Sequence, residues 1–268
     1  MTEEQQIQLR EMYNPEGSDL RKLQLKLVQM LEYFDRFCRM HDLKYWLAFG
    51  TCLGAVRHKG FIPWDDDVDV MMFQDDYDKL LACFEEDDDY AIQSLESDLH
   101  YLMGYAKLRD KHSIVNEDGP NEEKCRFHGC FIDIFPYGYD HTSNFVNQQV
   151  KQHGIWLSHL NRKEHLSPAR LILFKFLKKL YCMEIRCLQQ RSMKHRIESV
   201  RMGAGSSFYK RILDSRFFDG CEMAEFEGLM LPVPNDCDMY LRKIYGDYMS
   251  IPDPQNRAVP HFRIRYLE

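Results

Sequence analysis

Four aspartates fall within five residues at Asp65-Asp-Asp-Val-Asp69, and the chain runs from them straight into the apolar Val70-Met-Met-Phe73. Such a segment belongs at the entrance to a strand, with apolar side chains turned to a core and carboxylates left at one rim. On a strand, residues two apart share a face and lie ~6.8 Å apart. Asp65, Asp67 and Asp69 are therefore expected along one side, although Asp65, next to Pro63-Trp64, can equally sit in the preceding loop. Two unit charges at that spacing repel by about 2.4 kcal/mol at an effective dielectric of 20. A protein carries such a cost when a cation offsets it. Oxygen ligands with no nearby His/Cys set point to Mg²⁺ or Mn²⁺ and away from zinc. The plainer reading is an acidic helix cap or a solvated turn.

Upstream, Gly50-Thr51 reads as a turn feeding a short helix over 51–58. Helix N-terminal amides and glycine's conformational freedom let backbone donors approach a phosphate. Joined to the strand aspartates, this makes a phosphoryl-transfer constellation in which the turn holds phosphate and the carboxylates hold the neutralising metal. Arg57, His58 and Lys59 lie between the two parts, placed either to contact phosphate or displaced nucleotide or to serve as surface charges. Lys107 and Arg109 alternate on a short strand, so they share a face and are candidates for the same cleft. Arg257 and His261 stand four apart in a tail bounded by Pro252, Pro254 and Pro260, and are further candidates for phosphate or substrate contact. Cys125-x-x-His128-x-Cys130 offers three metal ligands without the fourth partner a structural zinc site needs.

Leu20, Leu23, Leu27, Met30, Leu31, Phe34 and Phe37 recur at helical spacing after Ser18 and Asp19, the pattern of a capped amphipathic helix. Strands are expected over 45–49, 68–73, 91–95, 105–109 and 131–135, and helix from about 143 onward, through 155–160 and 171–200. A last helix over 237–245 stops at Gly246. The expected class is α+β, one domain over 1–268, with a mixed-sheet core over about 19–142, flanking helices, and a mostly helical C-terminal part over 143–268. An apolar fraction of 44% and a charged fraction of 29% exclude a disordered chain. A net charge of −7 argues against a nucleic-acid partner. No run approaches the ~20 apolar residues of a membrane span, and the polar N-terminus lacks a secretion signal. Nine cysteines without paired spacing fit reduced thiols and a cytoplasmic location. Charge is unevenly spread, with fourteen acids against one base over 65–98 and nine bases against two acids over 168–201. The basic block, interleaved with Leu171, Leu173, Phe174 and Leu177, has the composition of an interfacial helix. Its two readings are peripheral contact with an anionic membrane, at the inner face, and a core helix with a basic outer surface.

The block Gly50-Thr51…Asp67-Val-Asp69 resembles the nucleotidyltransferase-fold signature, a Gly-Ser/Thr turn followed by an Asp-x-Asp strand. The longer wording, from Gly50-Thr-Cys-Leu-Gly-Ala-Val-Arg-His-Lys-Gly-Phe-Ile-Pro-Trp to Asp65-Asp-Asp-Val-Asp-Val70, is similar to the LicD family, which includes bacterial phosphocholine transferases and, more distantly, fukutin-related protein. Lys107-Leu-Arg-Asp110, Phe131-Ile-Asp-Ile-Phe-Pro136, Tyr245-Gly-Asp-Tyr248 and Arg257…His261 continue the resemblance in order. Cys52 stands where Leu is more usual, and Met71-Met72 where a smaller residue is common; neither changes a charged group. The resemblance implies a nucleotidyltransferase-like fold and transfer of a phospho-alcohol from a CDP-activated donor to a sugar hydroxyl of a cell-surface glycan or its precursor, with release of CMP. Phosphocholine is the first head group it suggests; ribitol, glycerol or ethanolamine phosphate, an NTP-using nucleotidyltransferase and a non-catalytic binding module are the alternatives. It also implies a third carboxylate from a neighbouring strand, matched by Asp133. A buried Asp between Ile132 and Ile134 is costly unless paired or cation-bound. Asp133 is read as metal ligand or general base, or as an Asp satisfied by backbone amides. Asp67 and Asp69, with Asp133, would hold the ion; Asp133 or Asp65 would deprotonate the acceptor hydroxyl.

Overall fold

The periodic apolar run after Ser18 forms a long helix whose first turn is closed by the Ser18 hydroxyl, which accepts the Arg21 N–H at 3.2 Å, a standard N-cap arrangement. Its buried stripe of Leu23, Leu27, Met30, Leu31, Phe34 and Cys38 packs beneath a sheet, following the helical period. The structure is a computed structural model, describing residues 2–115, 122–139, 141–162, 167–203, 211–257 and 264–266. In chain order the elements are α1 (Glu3–Tyr13), α2 (Asp19–Met40), β1 (Trp46–Leu47), α3 (Phe49–His58), β2 (Asp69–Phe73), α4 (Gln74–Cys83), β3 (Tyr90–Gln93), β4 (Ala106–Asp110), β5 (Ser113–Val115) and β6 (Phe131–Tyr139). They continue with α5 (Asn144–Asn161), α6 (Pro168–Ser192), β7 (Ser199–Met202), β8 (Ile212–Asp214), β9 (Glu222–Phe226), β10 (Leu229–Val233), α7 (Cys237–Tyr245) and β11 (Ile264–Tyr266).

Among the described residues, seven strands share one sheet, in the order β1-β2-β6-β4-β3, with β7 also on β6 and β8 on β7. The central β2–β6 pair is parallel and the others antiparallel. Val70, Met71, Met72, Ile132 and Ile134 of that pair are fully buried. Each such side chain contributes roughly 1.5–3 kcal/mol of apolar burial. The expected α+β architecture, a mixed sheet with flanking helices, is the observed one.

Two readings of local structure change. The C-terminal part is less helical than its periodicity suggests, because the helix expected to run to Val200 ends at Ser192 and four strands follow before α7. Pairing explains the first of them. β6 runs to Tyr139, beyond the reach of β4, and β7 takes up the exposed edge through Tyr137↔Met202 and Tyr139↔Val200, satisfying backbone groups that would otherwise stay unpaired. β9 and β10 form a tight hairpin. Its turn residues, Glu227 and Gly228, both have positive φ, 50° and 85°, as two-residue hairpin turns of the mirror-image type require. The second change is at Gly50, which lies inside α3 and not in a turn preceding it. The helix begins at Phe49 (φ 42°), whose N–H donates to Tyr240 Oη at 3.3 Å. Among the described residues, no helix is long and apolar enough to cross a membrane.

Candidate active site

Sheet register assembles the first part of the site. In the parallel pair β2–β6, Asp69 stands directly opposite Asp133, and in the antiparallel pair β4–β6, Lys107 stands opposite the same Asp133. Registered partners on adjacent strands share a face, so Asp69, Asp133 and Lys107 form one row across three strands. The Lys107 ammonium lies 3.6 Å from Asp133 Oδ1 and 3.3 Å from the centre of the Phe131 ring. That cation–π contact holds it over the sheet.

The loop before β2 supplies the second part. β2 begins only at Asp69, so Asp65 and Asp67 come from the loop, and their carboxyl groups hydrogen-bond to each other. Burial, followed by the charges of Asp67 and Asp66, raises the Asp65 pKa well above the usual carboxylate range. Asp69 is raised likewise, first by burial and then by Asp67, Asp133 and Asp65, with Lys107 acting in the opposite direction. Both low-dielectric surroundings and neighbouring like charge disfavour the ionised form. Both carboxyls are enclosed by protein, and the two residues keep part of their surface in water. Four carboxylates are thus gathered at the entrance to the central strand β2.

Gly50 and Thr51 build this cluster from beneath. A Cβ at Gly50 would stand 2.8 Å from Asp65 Oδ2, so the missing side chain gives Asp65 its place over the first turn of α3, where unpaired helix amides favour negative charge. Thr51 Oγ1 accepts the Asp69 N–H at 2.8 Å, and the Ala48 N–H donates to the Asp69 carbonyl at 2.9 Å. The Gly-Thr pair thus braces the acidic strand. From the other side, Gln24 of α2 donates to the Asp65 carbonyl at 2.9 Å and accepts from Asn14 at 2.7 Å. Gly54 lets the 59–62 turn fold back onto α3, since a Cβ there would meet the Gly60 carbonyl oxygen at 2.4 Å.

The other basic candidates each have partners of their own. Arg57 is buried and donates from Nη1 to the carbonyls of Tyr248 (2.6 Å) and Ser250 (3.3 Å), within electrostatic reach of Asp65. His58 faces α1 through Gln6 Oε1 at 2.6 Å, and burial, with help from Arg57 and Arg10, lowers its pKa to about 3. Lys59 caps α3 in the left-handed region, exposed, 3.7 Å from Glu225. Arg109 is fully buried, donating to Gln93 Oε1 (2.7 Å), the Gly129 carbonyl (2.9 Å) and Glu122 Oε1 (2.9 Å). Arg257 stacks over Trp64 (4.8 Å) and Tyr13 (5.3 Å) and donates to Tyr13 Oη, next to the acidic loop. His261 lies outside the described residues.

Two further residues come near the cluster: Tyr245, which the sequence marks only as the start of Tyr245-Gly-Asp-Tyr248, and Arg211, which no motif marks. Tyr245, at the end of α7, is raised by burial and then by Asp69 and Asp65, with Arg211 acting against them. Arg211 also lies 5.5 Å over the Phe49 ring. A chain of aromatic contacts runs beside the carboxylates through Tyr101–Tyr105 (6.4 Å), Tyr105–Phe135 (4.7 Å) and Phe135–Phe49 (5.8 Å). Among the described residues, no three His, Cys, Asp or Glu side chains are arranged as a metal-ligand set, the Cys125/His128/Cys130 group included.

The family profile described as "LicD/FKTN/FKRP, nucleotidyltransferase domain" matches residues 42–179, which contain the Gly-Thr brace, the acidic loop and all three members of the row. The lipopolysaccharide cholinephosphotransferase LicD of Haemophilus influenzae (strain ATCC 51907 / DSM 11121 / KW20 / Rd) is 30% identical to the chain, over 92% of the chain and 98% of that relative. The chain belongs to the LicD family. An uncharacterised protein of Rickettsia prowazekii (strain Madrid E) shares 42% identity over 55 residues, 20% of the chain and 21% of that protein. Membership makes the chain a transferase of the LicD/nucleotidyltransferase superfamily, with phosphotransferase-like activity.

Proposed function

We propose that this LicD-family protein transfers phosphocholine from a CDP-activated donor to a sugar hydroxyl on a cell-surface glycan or its precursor, releasing CMP. The row Asp69–Asp133–Lys107, with Asp65 and Asp67 beside it, carries the phosphotransfer part of this reading. The head group and acceptor class are supported by the full-length likeness to the Haemophilus influenzae lipopolysaccharide cholinephosphotransferase.

The donor chemistry of the cluster is that of carboxylate oxygens alone, crowded enough to raise one another's proton affinity. Oxygen donors of this kind are the ligand type that Mg²⁺ or Mn²⁺ takes, although the described side chains as they stand are not arranged around an ion. Asp67, Asp69 and Asp133 would hold the ion, which when bound neutralises charge on a diphosphate. The remaining work falls to the chain. Lys107 supplies positive charge beside Asp133, and Arg211 supplies it beside Tyr245 and the Phe49 ring. Asp65, or Asp133, takes the proton of the acceptor hydroxyl; a carboxylate with raised proton affinity is a better base than an ordinary one. The acceptor oxygen then bonds to the phosphorus bearing the alcohol, and the bond from that phosphorus to the bridging oxygen breaks, so CMP leaves with both electrons. Tyr105 and Phe49, flanking Phe135 on the Asp133 face, are the aromatic faces a choline cation would meet.

Purified protein incubated with Mg²⁺, CDP-choline and a glycan acceptor should release CMP, whereas a nucleotidyltransferase given an NTP would release pyrophosphate. Calorimetric titration with CDP-choline, CDP-ribitol, CDP-glycerol and CDP-ethanolamine separates the head groups, and failure of CDP-choline alone ends the choline version. Full activity in Asp67→Asn would end the catalytic reading itself.

A further inference from the structure

Helix α6 is apolar on two sides. Its inward face runs through Phe174, Lys178, Tyr181 and Ile185, at the helical period. Phe174, Tyr181 and Ile185 pack with Val150 and Leu157 of α5. The Lys178 ammonium is buried among the carbonyls of Asp98, Leu99 and Tyr101. On the opposite side Ile172, Phe176, Leu180 and Met183 recur at the same period and face solvent, Ile172 at 69% and Phe176 at 58% exposure. A soluble helix ordinarily turns its apolar stripe inward and its charges outward. Here a second apolar stripe is left without cover, and contiguous patches of this kind mark interaction sites.

The charges around that stripe select what covers it. Lys175, Lys179 and Arg186 line one flank, and Arg170 stands in the first turn, positions that follow from helical spacing. Arg170, Lys175 and Lys179 have no ion-pair partner among the described residues, while Arg186 pairs with Glu96. The single acid of α6, Glu184, is occupied by His153 of α5 at 2.8 Å, with the 64%-exposed Trp156 tilted against the His153 ring. A second copy of the chain seated on this face would bring like charge to like charge. An anionic lipid surface meets both demands, since headgroups pair with the bases while Phe176, Leu180 and Trp156 enter the acyl boundary. We infer that the outer face of α5 and α6 is a peripheral docking surface for an anionic membrane, and that it places the enzyme beside acceptors carried in that membrane. Binding is read without turnover, so its failure leaves the phosphotransfer reading untouched, and the converse also holds.

The test is flotation of the full chain with vesicles of phosphatidylethanolamine and phosphatidylglycerol, against vesicles of phosphatidylcholine alone, together with light scattering of the free protein. The expected result is co-flotation with the anionic vesicles only, weakening as salt is raised. Lys175→Gln with Lys179→Gln should lower the partition coefficient about thirty-fold, from about 1 kcal/mol per lost base. Phe176→Ser with Leu180→Ser should abolish flotation while leaving CMP release from CDP-choline in the presence of a soluble acceptor unchanged. Absence of flotation overturns the inference, as does equal binding to phosphatidylcholine with no effect of the lysine changes. A dimer that Phe176→Ser with Leu180→Ser converts to a monomer overturns it in favour of a second copy.

Discussion

Replacing Asp69 by Asn should make the metal-free protein more stable while destroying its activity. Asp69 and Asp133 are registered partners on adjacent strands, a relation that sets them ~4.8 Å apart. Two unit charges at that distance repel by about 3.5 kcal/mol at an effective dielectric of 20, and Lys107, one strand further, returns about half of that. Asp67 and Asp65 add to the repulsion, while partial protonation limits it. A net gain of about 1–2 kcal/mol remains for the neutral, nearly isosteric amide. The backbone bond from the Asp69 N–H to Thr51 is untouched by the change. Thermal unfolding in EDTA should therefore show Asp69→Asn melting a few degrees above the natural protein. Adding Mg²⁺ should reverse the order, because an ion that binds only the folded, fully charged cluster stabilises the natural protein alone. An amide variant that melts below the natural protein in EDTA, or gains as much from Mg²⁺, would refute the claim that this cluster exists to hold a cation.

The two glycines of α3 should respond in opposite ways. Gly50→Ala pushes only a movable carboxylate, Asp65 Oδ2, so stability should change by less than about 1 kcal/mol while kcat/KM falls steeply. Gly54→Ala meets backbone at Gly60 and should cost about 1–3 kcal/mol in urea denaturation. Thr51→Val leaves the Asp69 N–H without its acceptor and should cost about 1–3 kcal/mol, with Thr51→Ser restoring most of it. His58 sets a pH dependence. Its folded pKa is about 3, below the unfolded value of about 6.5. The unfolded chain therefore binds a proton that the folded chain refuses throughout that window. Its contribution is present above about pH 6.5 and declines as pH falls toward 3, by up to about 1.4 kcal/mol per pH unit. Urea midpoints at pH 7 and pH 5 should differ less in His58→Gln than in the natural protein.

Much of this is legible in the residues alone, and the gaps have physical causes. α2 can be read because an unbroken apolar period follows a Ser cap, and α7 because Gly246 terminates it. β7 falls where the sequence pattern suggests helix. Its state is set by the unfilled edge of β6, a partner distant in sequence, and strand formation depends on such neighbours more than on local preference. The acidic loop and Asp133 are legible as chemistry, but strand alternation is not what gathers Asp65, Asp67 and Asp69, since only Asp69 is in a strand. Arg109 alternates with Lys107 and lies with it over the Phe131 ring, 4.7 Å from its centre, but the sequence does not show that its guanidinium is also clasped by Gln93, Gly129 and Glu122. Nothing local marks Arg211, and the motif at Tyr245 does not say where that side chain goes. Tyr245 comes within electrostatic reach of Asp69 and Asp65, with Arg211 beside it, only once the C-terminal segment has folded back.

Because the row of Asp69, Asp133 and Lys107 takes one rung from each of three strands, no single element contains it. A slip of one residue between β2 and β6, or between β4 and β6, would turn one rung to the far face and disperse the charges. Turnover in this protein should therefore behave as an all-or-none gauge of correct strand alignment, vanishing in any partly assembled form however much helix that form retains.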